Sequence, residues 1–348
     1  MKKIIILILG SILINSCENV SNSETKETVS KEIDFPNNLM FIDSNIVKKH
    51  IYTLASDEME GRATGSSGIE KAAIYIENEF KRIGLSKFKD LNTYRQTFTF
   101  KNRRTKKDIT ASNIIGVLEG KSKKNEFVII SAHFDHLGIL KKEDTLLDHT
   151  VLDHNISEDF IFNGANDDAS GVTGVLTLAE YFKNQDINQR TIVFVAFTGE
   201  EMGLIGSTHF GKGIDADKYV AGINLEMIGK TTSFGPNTAW LTGFDRSDFG
   251  KIVQKNLVGT GYQLFPDPYK KERLFFRSDN ASLARLGVPS HTFSTTPIDV
   301  DKDYHNVSDE VETLNMTVIT QTIQAVAIGT ESIINGNDTP KRVSLESQ

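Results

Sequence analysis

The chain has 348 residues, of which 39% are apolar and 24% are charged, a composition typical of a soluble globular protein with a hydrophobic core of normal size. The formal net charge is −7 and no long basic run occurs, which argues against nucleic-acid binding. The single cysteine excludes a framework of internal disulfides.

The first residues, MKKIIILILGSILINSC, have a basic start and an apolar run at 4–14 that is too short to cross a bilayer in the usual way. This pattern is typical of a secretory signal peptide. The end of the run, Ile-Asn-Ser-Cys17, resembles a bacterial lipobox. We therefore expect a lipoprotein signal peptide at 1–16, a lipidated Cys17 that anchors the protein to a membrane, and a disordered tether at 17–35. The alternative is an ordinary signal peptide with an incidental cysteine.

Residues 36–335 carry the patterns of one folded domain, and a polar tail that we expect to fray follows at 336–348. Helical spacing of apolar residues predicts four helices. They cover residues 68–83, with Gly84 as the stop, 170–182, 278–286, with Ser278 as the cap, and 316–334. Short apolar runs predict four strands, at 127–132, 191–197, 220–225 and 288–293.

The alternation of strands and helices predicts an α/β fold, with a mixed, largely parallel central β-sheet between layers of helices. Residues 139–162 form a polar, acidic stretch without a clear pattern. We expect this stretch to be a surface insertion.

Chemically active side chains follow each of the four predicted strands. In chain order they are His133 and Asp135; Glu200 and Glu201; Glu226; and, after a short loop, Tyr304 and His305. Sites in open α/β sheets form outside the carboxyl ends of the strands. We therefore expect the histidines and glutamates among these residues to converge on one place, together with Asp167 from the segment NGANDDASG at 163–171.

Each of these residues alone has an ordinary structural explanation, but the set as a whole does not. Imidazoles and carboxylates are the ligands of zinc, and a bound cation would relieve the repulsion between the adjacent Asp167 and Asp168. The remaining histidines are expected to have packing or surface roles. His136 is close to the site in sequence but is not expected to be a ligand.

The chain resembles the M28 family of zinc aminopeptidases, which are two-zinc exopeptidases. The resemblance extends over about residues 43–314. It is carried by LASDEMEGRATGSSGIEKAA (54–73), SAHFDHLG (131–138), NGANDDASG, FVAFTGEEMGLIGS (194–207), INLEMIG (223–229) and DYHNVSD (303–309).

This resemblance implies two zinc ions per chain and a role for each matching residue. His133 and Glu226 would bind the first zinc, Glu201 and His305 the second, and Asp167 would bridge the two. Asp135 would orient His133, Glu200 would be the general base, and Tyr304 would stabilise the oxyanion. The peptide bond between Asp167 and Asp168 would be cis.

Two positions depart from the family pattern. Glu226 occupies a position that is usually aspartate, as in NLDMIG, and its longer side chain shifts either the metal or the backbone. Asn280 occupies a position where many relatives have histidine.

The implied function is removal of N-terminal amino acids from peptides by a monomeric, exported lipoprotein of the cell envelope, on the periplasmic face or at the outer membrane. One alternative is a single-zinc acyltransferase similar to glutaminyl cyclases, which share the fold but lack the DASG run. A non-catalytic binding ectodomain on the same fold is the other. The DASG run and the Glu200–Glu201 pair favour the hydrolase over the cyclase, and a suitable residue at every ligand position argues against the binding ectodomain.

Overall fold

The computed structural model describes residues 41–140 and 159–345. The predicted signal peptide, Cys17, the tether and most of the predicted insertion therefore lie outside the described residues. In the two described ranges, no helix is both long enough and apolar enough to cross a membrane.

The described ranges contain seven α-helices and eleven β-strands. The helices are α1 (Ser44–Leu54), α2 (Ser67–Ile83), α3 (Ser170–Gln185), α4 (Ile205–Lys212), α5 (Phe249–Asn256), α6 (Asn280–Ala284) and α7 (Met316–Ile334). The strands are β1 (Ser86–Lys87), β2 (Arg95–Lys101), β3 (Asp108–Leu118), β4 (Lys123–His133), β5 (Gly138–Ile139), β6 (Ile161–Phe162), β7 (Arg190–Phe197), β8 (Tyr219–Leu225), β9 (Thr238–Leu241), β10 (Gln263–Pro266) and β11 (Ser290–Ser294).

Nine of these strands form one mixed sheet, in the order β1-β3-β7-β4-β8-β11-β9-β10, with β2 paired to β3. The four central strands, β7, β4, β8 and β11, are parallel to one another. Antiparallel pairs join this centre to β3 on one side and to β9 on the other. The predicted fold class, a mixed and largely parallel sheet in an α/β protein, is confirmed.

Helices cover both faces of the sheet because successive residues of its buried strands point to opposite sides. In β7, Ile192 and Phe194 pack in the larger core with α1, α2, α3 and α7. Val193 belongs to a smaller core, which includes Phe210 of α4 and Leu283 of α6. Every residue of β7 is buried, which explains why its sequence is a nearly continuous apolar run.

The predicted strands correspond to β4, β7, β8 and β11, and three of the predicted helices correspond to α2, α3 and α7. The helix predicted at 278–286 is shorter, since α6 covers only five residues. Ser278 does not cap this helix. The Ser278 hydroxyl oxygen instead accepts a hydrogen bond of 2.7 Å from the side-chain amide of Asn224, a residue of β8.

The polar tail is expected to fray from the sequence, but its described residues, 336–345, contact the folded domain. Arg342 donates hydrogen bonds of 3.0 Å to the backbone oxygens of Ala216 and Tyr219. Val343 is buried in a small cluster with Phe275. Residues 336–345 are therefore part of the folded unit.

The parallel centre of the sheet brings several chain segments to one edge. β4 ends at His133, β7 ends three residues before Glu200, and β8 ends immediately before Glu226. Helix α3 begins directly after the 163–169 segment, and its Gly171 packs closely against the end of β8. This close approach places Asp167 and Asp168 beside the carboxyl ends of the central strands.

Gly171→Ala tests this close approach. An alanine Cβ would contact the Leu225 carbonyl oxygen and would lie 2.5 Å from both carboxylate oxygens of Asp168. We expect a loss of about 2 kcal/mol in the free energy of unfolding, measured by urea denaturation, because this space is enclosed by backbone and a buried carboxylate. Gly213→Ala is the control, since its φ of −98° suits alanine and its nearest neighbour lies 3.5 Å away. Equal stability of the two variants would contradict the packing described here.

Candidate metal centre

Asp167 lies at the middle of a group of imidazoles and carboxylates. Its side chain is buried, and one of its oxygens, Oδ1, lies 3.1 Å from Nε2 of His133. The other, Oδ2, lies 3.3 Å from Nε2 of His305. The two oxygens of one carboxylate thus face different histidines. The peptide bond between Asp167 and Asp168 is cis, as the family resemblance implies.

A second carboxylate completes the side of the site that contains His305. Oε2 of Glu201 lies 3.1 Å from Nε2 of His305, and Oε1 lies 2.9 Å from Nδ1 of His136. Nε2 of His305 is buried, yet it makes no hydrogen bond of acceptable geometry with either nearby carboxylate. Ligand atoms of His136, Asp167 and Glu201 lie within 4.8 Å of one another. Closely spaced donor atoms, with an imidazole nitrogen left unpaired between two carboxylates, are an arrangement that suits a metal ion.

Glu226 lies close enough to His133 and Asp167 for their charges to act on its carboxylate, which groups it with His133. It follows β8 directly, and its Oε2 atom is buried without a hydrogen-bond partner. Burial raises the pKa of Glu226 to about 7, and the charge of Asp167 contributes in the same direction. An unpaired buried carboxylate oxygen is costly, so this atom also fits a metal ligand.

The adjacent Asp168 has a different role from Asp167. Its carboxylate accepts backbone N–H groups from His133 at 3.3 Å, from Gly171 at 3.0 Å and from Met227 at 3.0 Å. These three residues belong to the end of β4, the start of α3 and the segment just after β8. Asp168 therefore fixes the backbone segments that carry the site.

Asp135 contacts His133 differently from the arrangement that the resemblance implies. Nδ1 of His133 lies 3.0 Å from the backbone oxygen of Asp135 and 3.8 Å from its carboxylate. The carboxylate instead accepts hydrogen bonds from the Thr64 hydroxyl at 2.9 Å and from the Glu200 backbone N–H at 3.1 Å. Asp135 thus orients the histidine through its main chain and positions Glu200 through its side chain.

Glu200 and Tyr304 both line the large cavity, of about 870 Å³, that opens onto the site. Burial, together with the neighbouring carboxylates Glu226, Asp279 and Glu201, raises the pKa of Glu200 well above its ordinary value. Tyr304 stacks on the ring of His305 at a centroid distance of 3.9 Å, and 41% of its surface is exposed. Both side chains can therefore reach a molecule bound in the cavity.

Two residues of the site were not expected from the sequence. His136 lies between Asp167 and Glu201. The sequence indicates it only through the motif HFDH, in which this second histidine follows His133 by three residues. Asp279 is completely buried near Glu200, and burial raises its pKa to about 7. The segment FRSDNAS, which contains Asp279, does not directly follow a predicted strand. The predicted sheet topology therefore does not place it at the site.

The electrostatics of the site favour positive charge around Asp167. Burial by itself raises the pKa of Asp167, but contacts with His133 and His305 lower it well below its ordinary value. Burial by itself lowers the pKa of His305, and Asp167 and Glu201 raise it to about 10. The carboxylates thus favour positive charge at the imidazole nitrogens, where a divalent metal ion would supply it. Nitrogen and oxygen donors in this combination suit zinc.

The sequence profile of Peptidase family M28 matches residues 113–328, and the chain belongs to this family. Aminopeptidase YwaD of Bacillus subtilis is 22% identical over 248 residues, which cover 68% of this chain and 48% of YwaD. The chain thus spans about half the length of that relative.

Solved structures share the fold. A zinc aminopeptidase from Bacillus subtilis superposes with a TM-score of 0.62 at 14% identity, over 89% of this chain and all of the other. The glutaminyl cyclase of Porphyromonas gingivalis superposes with a TM-score of 0.66 at 16% identity, over 84% of this chain and 99% of the other. These similarities confirm the α/β architecture.

His136→Leu tests the contact between His136 and Glu201. The variant loses the ring nitrogen 2.9 Å from Glu201, so we expect zinc affinity, measured by competition with a chromogenic chelator, to fall about 10-fold. His209→Leu is the control, because His209 lies on α4 and stacks on Phe98 away from the site. Unchanged zinc affinity in His136→Leu would show that this histidine has no part in the metal centre.

Proposed function

We propose that this protein is an aminopeptidase that uses two zinc ions to hydrolyse the N-terminal peptide bond of its substrates. The observation that supports two metal positions is the geometry of Asp167, whose two oxygens lie near different histidines. A carboxylate in this position would bridge two cations. Membership of Peptidase family M28 supports the hydrolytic activity.

The proposed ligands divide into two sets that share Asp167. His133 and Glu226 complete the first set, and Glu201 and His305 complete the second. The contact distances and unpaired atoms described above support this division. His136 supports the second set by donating its Nδ1–H to Oε1 of Glu201.

Glu200 is the proposed general base. When bound, the zinc ions lower the pKa of a water molecule and polarise the scissile carbonyl. A carboxylate oxygen of Glu200 takes the proton of that water as its oxygen adds to the carbonyl carbon. The same proton is then delivered to the amine as the carbon–nitrogen bond breaks. The raised pKa of Glu200 suits a group that must both accept and release a proton.

Two further residues assist this reaction. The backbone N–H of Glu200 is bound by the Asp135 carboxylate, which fixes the start of the Glu200–Glu201 pair. The phenol of Tyr304 remains protonated, since burial raises its pKa, and it can donate a hydrogen bond to the oxyanion.

The cavity supports a peptide substrate that enters by its N-terminus. Its floor is acidic, with Asp167, Glu200 and Glu226, which favours the free α-amine of a peptide close to the reacting carbonyl. Its wall includes Trp240 and Met227, which suit an apolar side chain. A volume of about 870 Å³ is sufficient for several residues of a peptide.

A single-zinc acyltransferase is the second candidate, because a glutaminyl cyclase shares the fold with a TM-score of 0.66. In that reaction the α-amine of an N-terminal glutamine attacks the carbon of its side-chain amide and displaces ammonia, so no water is added. The presence of both His133 and Glu226 on the far side of Asp167 favours two metals and hydrolysis.

The proposed cellular setting rests on the N-terminal sequence. Export and lipidation at Cys17 would tether a monomeric enzyme in the bacterial cell envelope, where peptides are available as substrates.

Glu200→Gln tests the assignment of the base. The amide cannot accept the proton of the water, so we expect kcat for aminoacyl-p-nitroanilide hydrolysis to fall by about 10² to 10⁴. Zinc content, measured by plasma emission spectroscopy, should remain that of the natural protein, because Glu200 is not a proposed ligand. In the matched variant Glu201→Gln, both zinc content and kcat should fall. Full activity of zinc-loaded Glu200→Gln would refute the assignment.

Glu226→Ala tests the number of metals. We expect two zinc ions per chain in the natural protein and one in the variant, because only one side of Asp167 loses a ligand. The natural protein should release the N-terminal residue from peptides without cyclising N-terminal glutamine. One zinc in both proteins, accompanied by cyclisation, would instead support the acyltransferase.

A further inference from the structure

Arg62 is one of the largest completely buried side chains in the described residues. It belongs to the connection between α1 and α2, in the sequence Glu60-Gly61-Arg62. All three residues have positive φ angles, of 51°, 61° and 53°. This backbone conformation turns the connection inward, toward the site. A buried arginine needs partners for its five N–H groups, so its contacts identify its role.

The guanidinium of Arg62 joins the two chain segments that carry the proposed ligands His133 and Asp167. Nε donates to the backbone oxygen of Phe134 at 2.9 Å, one residue after His133. The terminal nitrogens donate to the backbone oxygens of Asn163 at 2.6 Å and Gly164 at 2.9 Å, just before Asp167.

Two further contacts anchor the arginine itself. One terminal nitrogen also donates to the backbone oxygen of Leu54 at 2.6 Å, at the end of α1. The backbone oxygen of Arg62 accepts the N–H of His136 at 3.2 Å. A Cβ on Gly61 would lie within 2.6 Å of the Phe162 carbonyl oxygen, so the connection packs tightly beneath both loops.

The charge of Arg62 has a second effect on the site. Burial lowers the pKa of Arg62, while the carboxylates of Asp309, Asp167, Asp168 and Asp135 raise it. An arginine keeps its charge in such surroundings, and a fixed positive charge reduces the repulsion among these carboxylates. Arg62 touches neither the cavity nor a proposed ligand atom.

We propose that Arg62 is a positioning residue of the metal centre, which sets the distance between the loop of His133 and His136 and the loop of Asp167 before metal binds. The planar guanidinium spans both loops with hydrogen bonds in fixed directions, which a lysine ammonium cannot do. This inference rests on the proposed function, because it concerns the same metal centre.

Arg62→Lys is the test, with Arg190→Lys as the matched control. Arg190 is equally buried and also donates to backbone oxygens, those of Ile333 and Asp338, at the far end of α7. Both variants should lower the melting temperature of the zinc-free protein. We expect only Arg62→Lys to weaken zinc binding, by about 10- to 100-fold in chelator competition, and to alter the visible absorption of the cobalt-substituted protein.

The outcomes separate this inference from the proposed function. If the natural protein binds no zinc, the proposed function fails and this inference fails with it. If the natural protein and Arg62→Lys bind zinc equally well, the inference alone is overturned. It is also overturned if Arg62→Lys does not fold while Arg190→Lys does, since Arg62 would then support the whole fold and not the metal centre in particular.

Discussion

The structure depends on one carboxylate that is shared between two sets of donors. Asp167 is buried, and each of its oxygens faces a different imidazole, from His133 or from His305. Burial of several carboxylates in one place is unfavourable without counter-charge. In the proposed two-zinc site, the shared position of Asp167 would let two cations neutralise the group together, which would explain why adjacent aspartates are tolerated in so small a segment.

The fold brings these side chains together where the parallel central strands of the sheet reach their carboxyl ends. Strands β4, β7 and β8 end at the same edge: β4 ends in a proposed ligand, and β7 and β8 are each followed within three residues by a proposed base or ligand. The backbone between them is fixed by buried polar groups. Asp168 binds three main-chain N–H groups, Asp309 binds those of Asn166 and Asp167, and Arg62 binds carbonyl oxygens of both ligand loops. Rigid supports of this kind hold like charges at close range with little rearrangement when a metal binds.

Periodic and topological features could be predicted from the sequence, while the contacts that individual loop side chains make could not. Helix α7 was predicted at its observed bounds, because an apolar stripe of nineteen residues leaves little ambiguity. Strands β9 and β10 have four residues each, too few for a pattern. The inward position of His136 depends on close packing against Gly164, where a Cβ would lie 2.5 Å from the ring, and no local pattern shows this. The role of the Asp135 carboxylate likewise depends on Thr64, which is distant in sequence.

The central claim is that Asp167 bridges two metal ions. Anomalous diffraction recorded on both sides of the zinc absorption edge, from crystals of the zinc-loaded protein, tests it most directly. We predict two anomalous peaks, one between Asp167, His133 and Glu226 and the other between Asp167, Glu201 and His305. A single peak beside Glu201 and His305, with His133 and Glu226 contacting only protein atoms at full zinc loading, would contradict the account.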